Sequence, residues 1–242
     1  MTVRGVDPQR FRADTDMARE FHIPFTRIPI GRFLFLFISI VLMFVLRPFL
    51  EGFIGIRLLV SIFFTLVLLS GVFAIHQNKG PFIIALAMAV LAGVGLWSHR
   101  ITEIDALGIV AYVASILFLG YLSAVILAHI FREKEITADM IMAAICVYFL
   151  IGWLWADVYA LLEMLKPGSF QTSQGPGSEL WDFIYYSFVT LTTLGYGDMT
   201  PVSGAAQSFA VLEAITGQLF IAILIARLVG THISQSRSKE SK

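Results

Sequence analysis

Thr192-Thr193-Leu194-Gly195-Tyr196-Gly197-Asp198 is the stretch of this chain whose residue types and spacing point to chemistry. Two glycines one residue apart let an irregular ribbon enter the positive-φ region that a β-carbon disfavours. Such a ribbon can aim consecutive backbone carbonyls to one side, and four ribbons around an axis replace the water shell of a dehydrated cation. The Thr193 hydroxyl would add the innermost ring of oxygens, while Leu194 and Tyr196 would point outward and wedge the ribbon in place. Alone, Gly195-Tyr196-Gly197 would equally suit a tight turn between two membrane helices. The threonine pair before it, the acid after it, an aromatic amphipathic segment upstream and a long apolar run downstream agree in order with the cation reading.

The elements around this ribbon must hold it inside a hydrocarbon layer. Of 242 residues, 57% are hydrophobic and 14% charged, which lies outside the composition of soluble domains. Runs of about 18 apolar residues can cross a core roughly 30 Å thick. Apolar runs at 33–46, 58–75, 81–97, 104–130, 138–165 and 204–229 predict six transmembrane helices. The first spans only if flanking turns join it and Arg32 and Arg47 snorkel. Segment 179–192 is too short to cross, so it is expected to enter and return from one side as a re-entrant pore helix, with the filter ribbon at 193–197.

The expected fold class is therefore an all-α membrane protein with six transmembrane helices, a re-entrant pore helix and a selectivity filter. Its domains are an N-terminal arm at 1–32 with a short helix at 14–21, a four-helix domain at 33–130, a pore domain at 131–230 and a polar tail at 231–242. The basic N-terminal run is read as a retained anchor, because Arg47 and Pro48 follow Leu46 where a cleavage pattern would stand. The tail is expected to be too short for a calcium- or nucleotide-binding domain. Placing both termini in the cytoplasm of a cell-membrane protein puts 13 of the 17 lysines and arginines inside, and the re-entrant loop then enters from outside. Ala85, Ala89 and Gly93 form a small-residue stripe suited to close helix packing. Cys146 has no second cysteine to pair with, and no nucleic-acid partner is indicated at zero net charge.

On the words TTLGYGD and, at 214–217, AITG, residues 180–229 closely resemble the pore domain of potassium channels, both the bacterial two-helix and the voltage-gated type. The resemblance implies a homotetramer in a lipid bilayer. It implies potassium bound at Thr193, Leu194, Gly195 and Tyr196, the filter closing at Gly197, with Leu194 in place of the commoner valine. Potassium is the permeant ion, and no cofactor is expected. Gly217 matches the inner-helix glycine regarded as a gating hinge, and close helix packing is its other reading. Ile221, Ile225 and Val229 follow it at helical spacing and are expected to line an apolar cavity.

Some relatives carry a glutamate where this chain has Val189, so Asp198 needs another partner. The resemblance suggests Tyr185 for Asp198, and Tyr186 or Thr190 for Tyr196. The paired tryptophans of the family are Tyr185 and Tyr186 here, and the proline-valine-proline word of many voltage-gated relatives is missing. Helices one to four often form a voltage sensor in this architecture, with arginines at three-residue spacing on the fourth; residues 104–128 contain none. His76, His99, His129 and His232 read as interfacial anchors, and Asp157 as reaching water or a neighbouring helix. Glu213, one turn before Gly217, either braces the filter from behind or holds the helix bundle together. A transporter would bring internal repeats with two interrupted helices, whereas one filter-like segment occurs. A non-conducting regulatory subunit would tolerate decay of the ribbon, which is intact. Nothing indicates an enzyme.

Overall fold

The computed structural model describes residues 32–50, 56–74, 79–102, 104–132, 136–172 and 180–240. The arm before residue 32, with the expected helix at 14–21, and His76 lie outside the described residues. The elements run α1 Arg32–Leu50, α2 Ile56–Ala74, α3 Lys79–Thr102, α4 Asp105–Arg132, α5 Ala138–Leu165, β1 Phe170–Thr172, α6 Leu180–Leu191, β2 Met199–Pro201 and α7 Gly204–Glu240. Among the described residues, four helices are long and apolar enough to cross a membrane: α3, α4, α5 and α7 through Thr231. The apolar parts of α1 and α2 are shorter, Phe33–Phe49 and Ser61–Ala74. Helix α1 nevertheless exceeds the apolar run that announces it, and its 19 residues reach about 28 Å at ~1.5 Å per residue.

Periodicity sets the packing. On α1, Phe33, Leu36, Ile40 and Met43 are buried at helical spacing while Phe35, Ile38, Leu42 and Val45 face outward. Helix α5 is central and packs against α1, α4, α6 and α7. It starts at a cap in which the Thr137 side chain accepts the Met140 N–H. Asp157 is buried on α5 and accepts a hydrogen bond from Ser115 of α4, so its partner is the neighbouring helix rather than water. The small-residue stripe of α3 is buried at Ala85 and Ala89, and six residues past Ala89 a Cβ on Gly95 would stand 3.1 Å from Ala111 Cα of α4.

Two features depart from the expectation. Residues between the apolar run 138–165 and the segment 179–192 form β1, which pairs antiparallel with β2 beyond the ribbon: Phe170 opposite Pro201, Gln171 opposite Thr200, Thr172 opposite Met199. Among the described residues the fold is therefore helical with one short two-stranded sheet. The last helix also runs on to Glu240 instead of ending near residue 229, since no proline interrupts it. Near that end, Arg227 donates from Nη2 to the Ile130 carbonyl at 2.6 Å, tying α7 to the last turn of α4.

Candidate functional site

Along the ribbon between α6 and β2, positive φ recurs at every second residue: Thr193 at 58°, Gly195 at 60° and Gly197 at 78°. In a regular strand neighbouring carbonyls point to opposite sides. When left-handed residues alternate with ordinary ones, successive twists cancel, so the chain runs on while its carbonyls fall on one side. Glycine accepts this conformation freely. Thr193 is β-branched, and holding it there costs about 1–3 kcal/mol, which the surroundings must supply. The strain sits at the first residue of the ribbon. Leu194 and Tyr196 are 55% and 66% exposed within one chain.

The pore helix supplies the first support. Its closing carbonyls accept the ribbon's N–H groups: Thr190 from Thr193 at 2.9 Å, and Val189 from Leu194 at 2.9 Å and Gly195 at 3.2 Å. At the outer end, Tyr185 donates to Asp198 Oδ2 at 2.7 Å, and Asp198 Oδ1 accepts the Met199 N–H at 3.2 Å. Tyr186 is buried against Tyr159 and Phe170, ring centroids 5.1 and 5.4 Å away. Arg47, expected to snorkel, has its guanidinium 4.2 Å from the Trp181 ring centroid, so α1 also touches the pore helix.

Two supports have no counterpart in the sequence reading. Glu163, at the outer end of α5, accepts the N–H groups of Gly168 at 2.7 Å, Ser169 at 2.9 Å and Phe170 at 3.2 Å. That cradle starts β1, and β1 holds the return strand β2. The turn Lys166-Pro167-Gly168, with Gly168 at φ 80°, was the available signal for it. The second is Gln218, whose Nε2 lies 3.4 Å from Thr193 Oγ1.

Behind the ribbon, Glu213 is fully buried where three helices meet. Tyr159 of α5 donates to Oε2 at 2.5 Å, and Ser187 of α6 reaches Oε1 at 2.5 Å. Ser187 also stands 2.6 Å from the Gly152 carbonyl, where α6 comes close to α5 because glycine leaves room for the Phe188 ring. Glu213 therefore touches the pore helix and the outer helix, through Ser187 and Tyr159 and through no residue of the ribbon. Gly217 is turned toward the end of the pore helix: a Cβ there would lie 2.2 Å from the Leu191 carbonyl oxygen. The helix runs unbroken through it. Ile221, Ile225 and Val229 are exposed within one chain and leave an unpartnered apolar face below the ribbon. Among the described residues, no cluster of three histidines, cysteines or carboxylates could hold a metal ion.

Residues 140–232 match a family model described as ion channel. Similar proteins include the "Two pore potassium channel c" of Oryza sativa subsp. japonica, 40% identical over 83 residues, covering 34% of this chain and 17% of that protein. "TWiK family of potassium channels protein 7" of Caenorhabditis elegans is 34% identical over 99 residues, 41% of this chain and 15% of its own length. "Protein LctB" of Bacillus caldotenax is 29% identical over 125 residues, 46% of this chain and 92% of that protein. The chain thus spans less than a fifth of the rice and nematode proteins. These names point to an ion channel and not to an enzyme.

Proposed function

We infer that this chain belongs, through residues 140–232, to the potassium channel superfamily, and we propose that it is one subunit of a homotetrameric, potassium-selective pore. The observation that carries this reading is the alternation of positive φ at Thr193, Gly195 and Gly197, which a turn between helices does not need and a one-sided column of carbonyls does. Potassium ions would be held in succession by oxygens of Thr193, Leu194, Gly195 and Tyr196. Three further copies would cover Leu194, Tyr196 and the open apolar flanks of α7, which in one chain face nothing. Six helices would cross the cell membrane, α1 and α2 with the help of interfacial arginines, and both termini would lie in the cytoplasm.

Purified protein in liposomes tests the reading. Passive potassium flux, with a reversal potential that follows the potassium gradient in mixed potassium and sodium, is the expected result. A permeability ratio near one would overturn the filter assignment. Saturable flux coupled to a second solute would indicate a transporter, and silence a regulatory subunit.

A further inference from the structure

We propose that Gln218 is a positioning residue for the innermost ion site: from the inner helix its carboxamide orients the Thr193 hydroxyl, so that one oxygen lone pair is left facing the ion path. This rests on reading residues 193–197 as an ion filter.

The placement follows from its neighbour. Gly217 lets α7 press against the Leu191 carbonyl that ends the pore helix. The next residue is rotated by about 100° around the helix, which carries Gln218 past that contact toward the first residue of the ribbon. Its Nε2 stands 3.4 Å from Thr193 Oγ1, a long hydrogen bond but a direct one.

Donor accounting assigns the roles. A threonine hydroxyl has one proton and two acceptor lone pairs. Thr193 Oγ1 lies 2.7 Å from the Thr192 carbonyl, which can only accept, so the proton is committed there. The amide atom facing Oγ1 must then be the N–H group and not the carbonyl, which fixes the Gln218 orientation on chemical grounds. That N–H occupies one lone pair. The second remains, and with two contacts made the hydroxyl has no rotation left to it.

Within one chain, packing does not account for Gln218. Both Gln218 and Thr193 are exposed within the chain, and a leucine or methionine would suit an apolar cavity better than an amide. The amide is neutral, so its contribution is orientation rather than field. It also bears on the one non-glycine residue of positive φ among the described residues.

The experiment uses the assembled channel in bilayers and barium, a divalent ion close to potassium in size, applied from the cytoplasmic side. Gln218→Met keeps the length of the side chain and removes the donor. Potassium conduction should persist with barium block weakened at least about tenfold, while block by external tetraethylammonium at the outer mouth stays unchanged. Gln218→Asn keeps a donor one methylene short and should weaken barium block by a smaller factor. Barium block within twofold of the parent in Gln218→Met overturns the proposal, as does an equal change at both mouths, which would mark a general structural defect. Should Gln218→Met not assemble, unchanged block in Gln218→Asn overturns it in the same way. A parent without selective potassium current overturns the filter reading, and this proposal with it, a result distinct from normal conduction in an indifferent variant.

Discussion

Gly217 and Glu213 each had two readings, and their surroundings weigh differently on each. A Cβ at position 217 would be driven into the Leu191 carbonyl oxygen, 2.2 Å away, and backbone cannot step aside as a flexible side chain can. Close packing accounts for the glycine without a hinge. Gly217→Ala is therefore expected to destabilise the assembly by about 1–3 kcal/mol, read as a lower thermal midpoint of the purified oligomer. An unchanged midpoint with altered open times would restore the hinge. Glu213 joins Tyr159 of the outer helix to Ser187 of the pore helix, so it holds the bundle and the pore helix together. Glu213→Gln keeps much of this hydrogen bonding and should assemble. If bracing the pore helix steadies the filter, its currents will decay faster than the parent's at low external potassium. Decay at the parent's rate would leave Glu213 as a bundle tie alone.

Two elements outside the ribbon govern its ends. At the outer end, Glu163 gathers three N–H groups at the start of β1, and β1 pairs with the strand that leaves the ribbon. Glu163→Ala strips those donors of their acceptor. Faster amide hydrogen exchange is expected in Phe170–Thr172 and Met199–Pro201, while α4 exchanges as before. Equal protection in parent and variant would show that the strands hold without the cradle. At the inner end, Ile221, Ile225 and Val229 are 39%, 55% and 53% exposed and offer water few partners. An apolar throat closes by dewetting. Ile225→Ser should raise the open fraction in single-channel records, and unchanged gating would count against a gate at that level.

Across the whole molecule, α4 of the four-helix portion lacks the regularly spaced arginines that would carry charge through a membrane field. Moving one charge through the membrane is worth about 2.3 kcal/mol per 100 mV, and α4 has no lysine or arginine before Arg132. What joins this portion to the pore is packing and a few polar ties: Ser115 to Asp157, and Arg227 to the Ile130 carbonyl. Conductance is therefore expected to vary only weakly with voltage over a range of steps in symmetric potassium. A steep sigmoid would require gating charge outside α4.

The sequence alone determined what depends on near neighbours in the chain. Long apolar runs announce α3, α4, α5 and α7, because crossing hydrocarbon requires uninterrupted apolar residues whatever the helices later touch. Gly195 and Gly197 announce the ribbon, because only residues without a β-carbon take positive φ freely. The tertiary structure decided what depends on how each helix is turned. Helix α7 is apolar on several sides, so its sequence does not say that Gly217 meets Leu191, that Glu213 meets Tyr159 and Ser187, or that Gln218 meets Thr193. Each residue along a helix turns by about 100°, and a small rotation exchanges one partner for another. The β1 and β2 pairing was hidden for a related reason: three-residue strands carry too short a pattern to read, and they exist because Glu163 and the end of the ribbon bring their backbones together.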